Sequence, residues 1–159
     1  MRLIYFTLTV LLLSAYASDC LAVTEDSLDE AHKQLLKSRF EKQHEQLIPV
    51  VAVADMFFSC NRDTQGEHQY SIDYLVQEMD KQELAEKLQA CLGESNLKSD
   101  KAINYGLLGC FHEQLASLPE AEKAQKMKLV RQAISSLSRD ERQKSLTHCV
   151  TDQAIKYLK

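Results

Sequence analysis

Cysteine is the residue type with the most chemistry to offer in this chain, and there are five of them. Cys60, Cys91, Cys110 and Cys149 are widely spaced, with no CxxC pair, so neither a zinc site nor a dithiol redox motif is indicated. The fifth, Cys20, lies just after an apolar run. The chain opens with Arg2, an apolar stretch from Leu3 to Leu13, and two small-x-small sites, Ala15-Tyr16-Ala17 and Cys20-Leu21-Ala22. That order is the plan of a cleaved secretory signal peptide. Cleavage after Ala22 discards Cys20 and leaves an even set, whereas cleavage after Ala17 leaves an odd one. The expectation is a signal peptide over residues 1–22 and one domain over residues 23–159. The mature protein is then secreted or periplasmic, where disulfides persist.

Other reactive residue types carry less. The histidines His32, His44, His68, His112 and His148 fall in no HExxH motif and in no i, i+4 ligand pair. Asn61, Asp63, Gln65, Gly66 and Glu67 imitate the start of a calcium loop. The closing acidic ligand, however, falls on Ile72, which cannot coordinate. No GxSxG is present, and oxidised cysteines are not nucleophiles. No catalytic residue, metal site or cofactor is therefore assigned, and the chain is read as no enzyme. Asp55 stands apart because it interrupts the apolar stretch Pro49 to Cys60. Buried unpaired it would be costly, which calls for an ion-pair partner or a polar edge.

These residues have to be held by helices. The stretch PVVAVADMFFSC is apolar on every side and too short to cross a bilayer, which takes about 20 residues. It reads as the central helix of a bundle. Around it the spacing of apolar residues is helical, strand-like alternation is absent, and there are only two prolines and four glycines. Ser27, Asp80, Ser117 and Ser138 each begin a capping-box pattern. Pro49 is expected to end or kink the first helix, and Gly93 to close another. The fold class is all-α: a single-domain, disulfide-stapled helical bundle of about six or seven helices.

AVADMFFSC and AINYGLLGC both end apolar segments in a cysteine, and MDKQELAEKLQACL aligns with LSRDERQKSLTHCV without a gap. Duplication and chance likeness between amphipathic helices both produce such a pattern. Of the three pairings open to four cysteines, two related halves favour Cys60–Cys91 and Cys110–Cys149.

The net charge of −4 argues against general nucleic-acid binding. Residues 119–159 are net basic, and Lys123, Lys126, Lys128, Arg131, Arg139, Arg142 and Lys144 cluster there. If the last two helices fold back on each other, these residues offer contact with an anionic membrane surface. Glu120, Glu122, Asp140 and Glu141 lie among them, so a solvated mixed face is the plainer outcome. Phe57, Phe58, Tyr74, Tyr105 and Phe111 are candidates for an apolar pocket between helices, or for ordinary core.

In general architecture the chain resembles the insect odorant-binding class, which is secreted, small, helical and disulfide-bonded. The four-cysteine members of that class differ in spacing, because here the longest gap is the last. It also resembles the small helical proteins that Gram-negative bacteria export, effectors and immunity proteins among them. These readings lead to a small secreted interaction protein acting through an unknown protein partner as an effector, inhibitor or periplasmic factor. The alternative is a carrier of a small apolar or lipid ligand between its helices.

Overall fold

The structure is a computed structural model that describes residues 25–66 and 68–158, with side chains from Leu28 onward. The expected signal peptide over residues 1–22, with Cys20, lies outside the described residues. Six helices follow one another, with no strand among the described residues: α1 Glu25–Asp63, α2 Ile72–Gln77, α3 Lys81–Leu92, α4 Asp100–Gln114, α5 Glu120–Ser136 and α6 Arg139–Ile155. None of them is long and apolar enough to cross a membrane.

The chain divides into two compact units, residues 1–38 and residues 39–159. In the first unit α1 is exposed at every residue from Leu28 to Ser38. The second unit holds the hydrophobic core.

Three helix boundaries differ from those expected, two of them in α1. The helix is already running at Glu25, so Ser27 does not open it. Pro49 neither ends nor begins a helix but lies inside α1. Proline lacks an N–H and obstructs the preceding turn, yet the residues beyond it are held helical by burial. From Ala54 to Cys60 every residue is buried. The central helix expected at Pro49 is therefore the last part of one long element.

Local capping accounts for most other boundaries. The side chain of Ser71 accepts from the Tyr74 amide to open α2, and that of Asp80 accepts from the Gln82 and Glu83 amides to open α3. Gly93 closes α3 with φ at +67°, a conformation that glycine adopts without steric penalty. Ser138 and Glu141 form a complete capping box at α6. The box expected at Ser117 is absent. Helix α5 starts at Glu120 behind Pro119, which has no side-chain cap.

Cys60 of α1 bonds to Cys91 of α3, and Cys110 of α4 bonds to Cys149 of α6. The sequence separations are 31 and 39 residues. Loops of that size contribute roughly 3–4 kcal/mol each in the chain-entropy account. Helices α5 and α6 both pack on α4 rather than on each other.

The tightest approach in the core is between α1 and α4. A Cβ on Gly109 would lie 2.6 Å from the Cα of Asp55, and backbone on both sides leaves nothing flexible to yield. In a free helix, glycine-to-alanine gains about 1 kcal/mol. Here overpacking, typically costing about 1–3 kcal/mol, opposes and exceeds that gain. Gly109→Ala is expected to lower unfolding stability by about 1–2 kcal/mol in urea denaturation. An unchanged or higher midpoint would show that α1 and α4 do not touch there.

Candidate functional site

Asp55 is fully buried on α1. Its Oδ1 accepts a hydrogen bond from Gln153 Nε2 of α6 at 3.1 Å. Its Oδ2 and the Gln153 Oε1 are both buried without a partner. The expected cationic partner is not there: an amide takes its place. Burial drives the Asp55 pKa well above the ordinary carboxylate value; the Gln153 bond opposes this and the nearby Glu113 adds to it. A protonated Asp55 still accepts from the Gln153 amide nitrogen and avoids the larger cost of burying an unpaired charge.

Next to this pair a charged network closes one end of the unit. Lys156, the C-cap of α6, donates to Asp73 Oδ1 of α2 at 2.9 Å and to Glu113 of α4. Tyr157 Oη donates to the same Asp73 oxygen at 2.9 Å. The hydrogen bond from Lys156 is the main reason that the Asp73 pKa is lowered.

A second polar region is a cleft of about 260 Å³ at the end of α1. Arg62, Asp63, Tyr105, His112 and Arg131 line it, with Phe58, Leu108 and Met127 as its apolar part. The Arg62 guanidinium lies 5.3 Å from the Phe58 ring centroid, and the His112 ring tilts against the same phenyl at 4.7 Å. Tyr105 Oη donates to Asp63 Oδ2 at 2.7 Å. Burial first, then this carboxylate, pushes the Tyr105 pKa up to about 12. The His112 pKa falls to about 4 through burial and through the charges of Lys123 and Arg62. At neutral pH His112 is therefore uncharged.

A third region is an apolar groove of about 300 Å³ between α4, α5 and α6. Leu107 and Phe111 belong to α4, Leu129, Val130, Ala133 and Ile134 to α5, and Ser145 to α6.

The five aromatic pocket candidates are not brought together. Phe58 and Tyr105 line the polar cleft, Phe111 lines the apolar groove, and Phe57 borders a separate depression with Tyr70 and Cys91. Tyr74 is exposed and stacks on Tyr70 at 5.9 Å.

The seven basic residues of the C-terminal helices are dispersed as well. Lys123 is buried, Lys126 faces Glu122 at 3.8 Å, and Arg131 turns into the polar cleft. Arg142 pairs with Asp100 at 2.7 Å and donates to the Leu137 carbonyl. Arg139 donates to the Lys98 carbonyl. Lys128 and Lys144 remain exposed. The expected fold-back of α5 on α6 does not occur, because both helices bury their apolar sides on α4.

In the polar connection after α1, Asn61 donates to the His68 carbonyl, and Ile72 is buried. Among the described residues no group of three His, Cys, Asp or Glu side chains is placed to hold a metal ion. Arg62 and Arg131 in the cleft were not singled out together by the sequence. They are 69 positions apart, and only the packing of α5 on α4 brings Arg131 to it. Comparison with family models, curated proteins and solved structures yields no match.

The Asp55–Gln153 pair makes stability depend on pH in a defined direction. The folded carboxyl has the higher pKa, so folding takes up a proton. Its contribution is fullest below the unfolded value near 3.8 and is lost as pH rises from there through the folded pKa. Asp55→Asn keeps the shape, still accepts from Gln153 Nε2 and removes the titration. The variant is expected to be more stable than the wild type by about 1–3 kcal/mol at pH 8. The gap should close toward pH 4. Urea denaturation of both proteins across that range checks it, and a gap independent of pH would contradict it.

Proposed function

We propose that this is a small non-enzymatic interaction protein that works outside the cytoplasm, secreted or periplasmic, as an effector, inhibitor or periplasmic factor. The observation that carries this reading is the exposed apolar face of the first unit. Leu28, Leu35 and Leu36 are 61%, 48% and 51% exposed on a helix with no buried residue between Leu28 and Ser38. Its apolar residues are where a partner gains most, about 1.5–3 kcal/mol for each leucine fully buried. The occupant that fits is a protein offering an apolar groove or helix face, met by the spacing of these leucines. The two disulfides support an oxidising compartment.

Photo-crosslinking in the native host tests this. A crosslinking residue at Leu35 should give one discrete protein adduct. The same residue at Lys33, on the opposite side of the helix and paired with Asp29 at 2.7 Å, should give none. Adducts from both positions, or from neither, would count against the reading.

The carrier reading is supported by one separate feature, the apolar groove of about 300 Å³ bounded by Phe111, Leu129 and Ile134. That volume lies at the lower end of small-molecule sites, which begin at about 300 Å³. If the protein carries an apolar ligand, native mass spectrometry of material from its own host will show a stoichiometric adduct. Leu129→Glu, at an exposed position, will remove it. A clean apo mass from wild-type material would set this second reading aside.

A further inference from the structure

We propose that the cleft between Arg62 and Arg131 is a binding site for a small organic monocarboxylate with an apolar body. Its carboxylate is held by the two guanidiniums and its body lies against Phe58, Leu108 and Met127.

The first support is a charge surplus in one concave place. Arg62 and Arg131 line the same cleft. Among the described residues neither makes an ion pair with a carboxylate. The one acidic side chain lining the cleft, Asp63, is engaged by the Tyr105 hydroxyl. His112 adds no charge at neutral pH, since burial and the cations Lys123 and Arg62 hold its pKa at about 4. Two guanidiniums therefore line the cleft beside one carboxylate, and the opposite charges of Lys123 and Glu120, both of which His112 feels, offset each other.

Geometry supports the same conclusion. Arg62 is laid over the Phe58 ring at 5.3 Å, which limits the freedom it would lose on binding. A planar, oriented guanidinium suits bidentate recognition of a carboxylate. Ligand size is bounded by the volume of about 260 Å³, just under the range for drug-sized ligands. A long acyl chain does not fit such a space, but a single ring or a short branched chain does.

Ligand charge is set by Asp63. One surplus positive charge is balanced by a monoanion. A dianion such as sulfate meets the Asp63 carboxylate as well, and repulsion between like charges offsets what the second negative charge gains. The apolar part of the cleft in turn favours an organic anion over an inorganic one.

The test is a titration of the intact, oxidised protein, followed by backbone amide shifts at pH 6.5, with benzoate as the probe. Benzoate should move the amides of Ser59, Arg62, Tyr105 and Arg131 in a saturable way. Benzyl alcohol, of the same shape without the charge, and sulfate should each bind at least about tenfold more weakly, a factor worth about 1.4 kcal/mol. Arg131→Gln, at an exposed position, should weaken benzoate about tenfold or more, the order expected for a charge-assisted hydrogen bond. Asp63→Asn should strengthen it, because it removes the repelling charge and still accepts from Tyr105. That gain cannot arise from a damaged fold. The proposal is overturned if benzoate moves none of these amides at millimolar concentration. It is overturned equally if benzyl alcohol or sulfate binds as well as benzoate, or if Asp63→Asn binds no better than the wild type.

Discussion

The second unit depends on how closely α1 and α4 approach. With no side chain at Gly109, the backbone of Asp55 comes into direct contact with α4. At Gly106, one turn earlier, Leu146 and Met56 fill the space that a Cβ would take. Two helices this close share a core with no room for water, and interiors packed to that density transmit any change in volume. Cys110 follows Gly109 directly, so the bond to Cys149 fastens α6 beside this contact. Cys60, five residues after Asp55, fastens α3 in the same way.

That contact also explains the electrostatics. A carboxyl group on the buried side of α1 cannot reach water, and only Gln153 of α6 is near enough to bond with it. Asp73 has the opposite environment. It is exposed, it accepts from Lys156 and Tyr157, and its pKa is lowered. Stability from Asp73 is present above the unfolded pKa and lost as pH falls through the folded one, and solvent screening keeps it small. Asp55 works the other way, so two aspartates in one small unit oppose each other in their pH dependence. Burial accounts for the difference.

The two surfaces with binding potential draw on different forces. On the first unit, apolar area is left in water on a helix that has no core of its own to cover it. In the second unit, positive charge is left uncompensated in a cleft walled by aromatic and thioether groups. The first favours a macromolecule, because only an extended apolar surface can cover side chains spaced along a helix. The second favours a small anion, because the cleft is narrow and its surplus is a single charge. Neither requires the chain to catalyse a reaction.

Local interactions made much of this fold legible from the residues alone. Ser138 with Glu141, Asp80 and Gly93 act on backbone within a few positions, and their helices start and stop where those side chains bond. The pairing of Cys60 with Cys91 and of Cys110 with Cys149 was also readable, since each bond joins the ends of one repeating helix pattern. The apolar run before Cys60 announced its own burial. Longer-range facts were not encoded in any local pattern. Pro49 breaks a helix by propensity, but burial of the residues beyond it carried α1 through. Asp55 called for a partner, yet that the partner is an amide 98 residues away depends on how α6 lies over α1. The grouping of Arg62 with Arg131, and the scattering of the other basic residues, follow from α5 and α6 both packing on α4. Caps, periodicity and cysteine spacing act within an element or between neighbouring ones, so most helices and both staples follow from local residues. Which side chains meet across elements was decided only by tertiary packing, because burial and excluded volume select among faces that the sequence leaves equivalent.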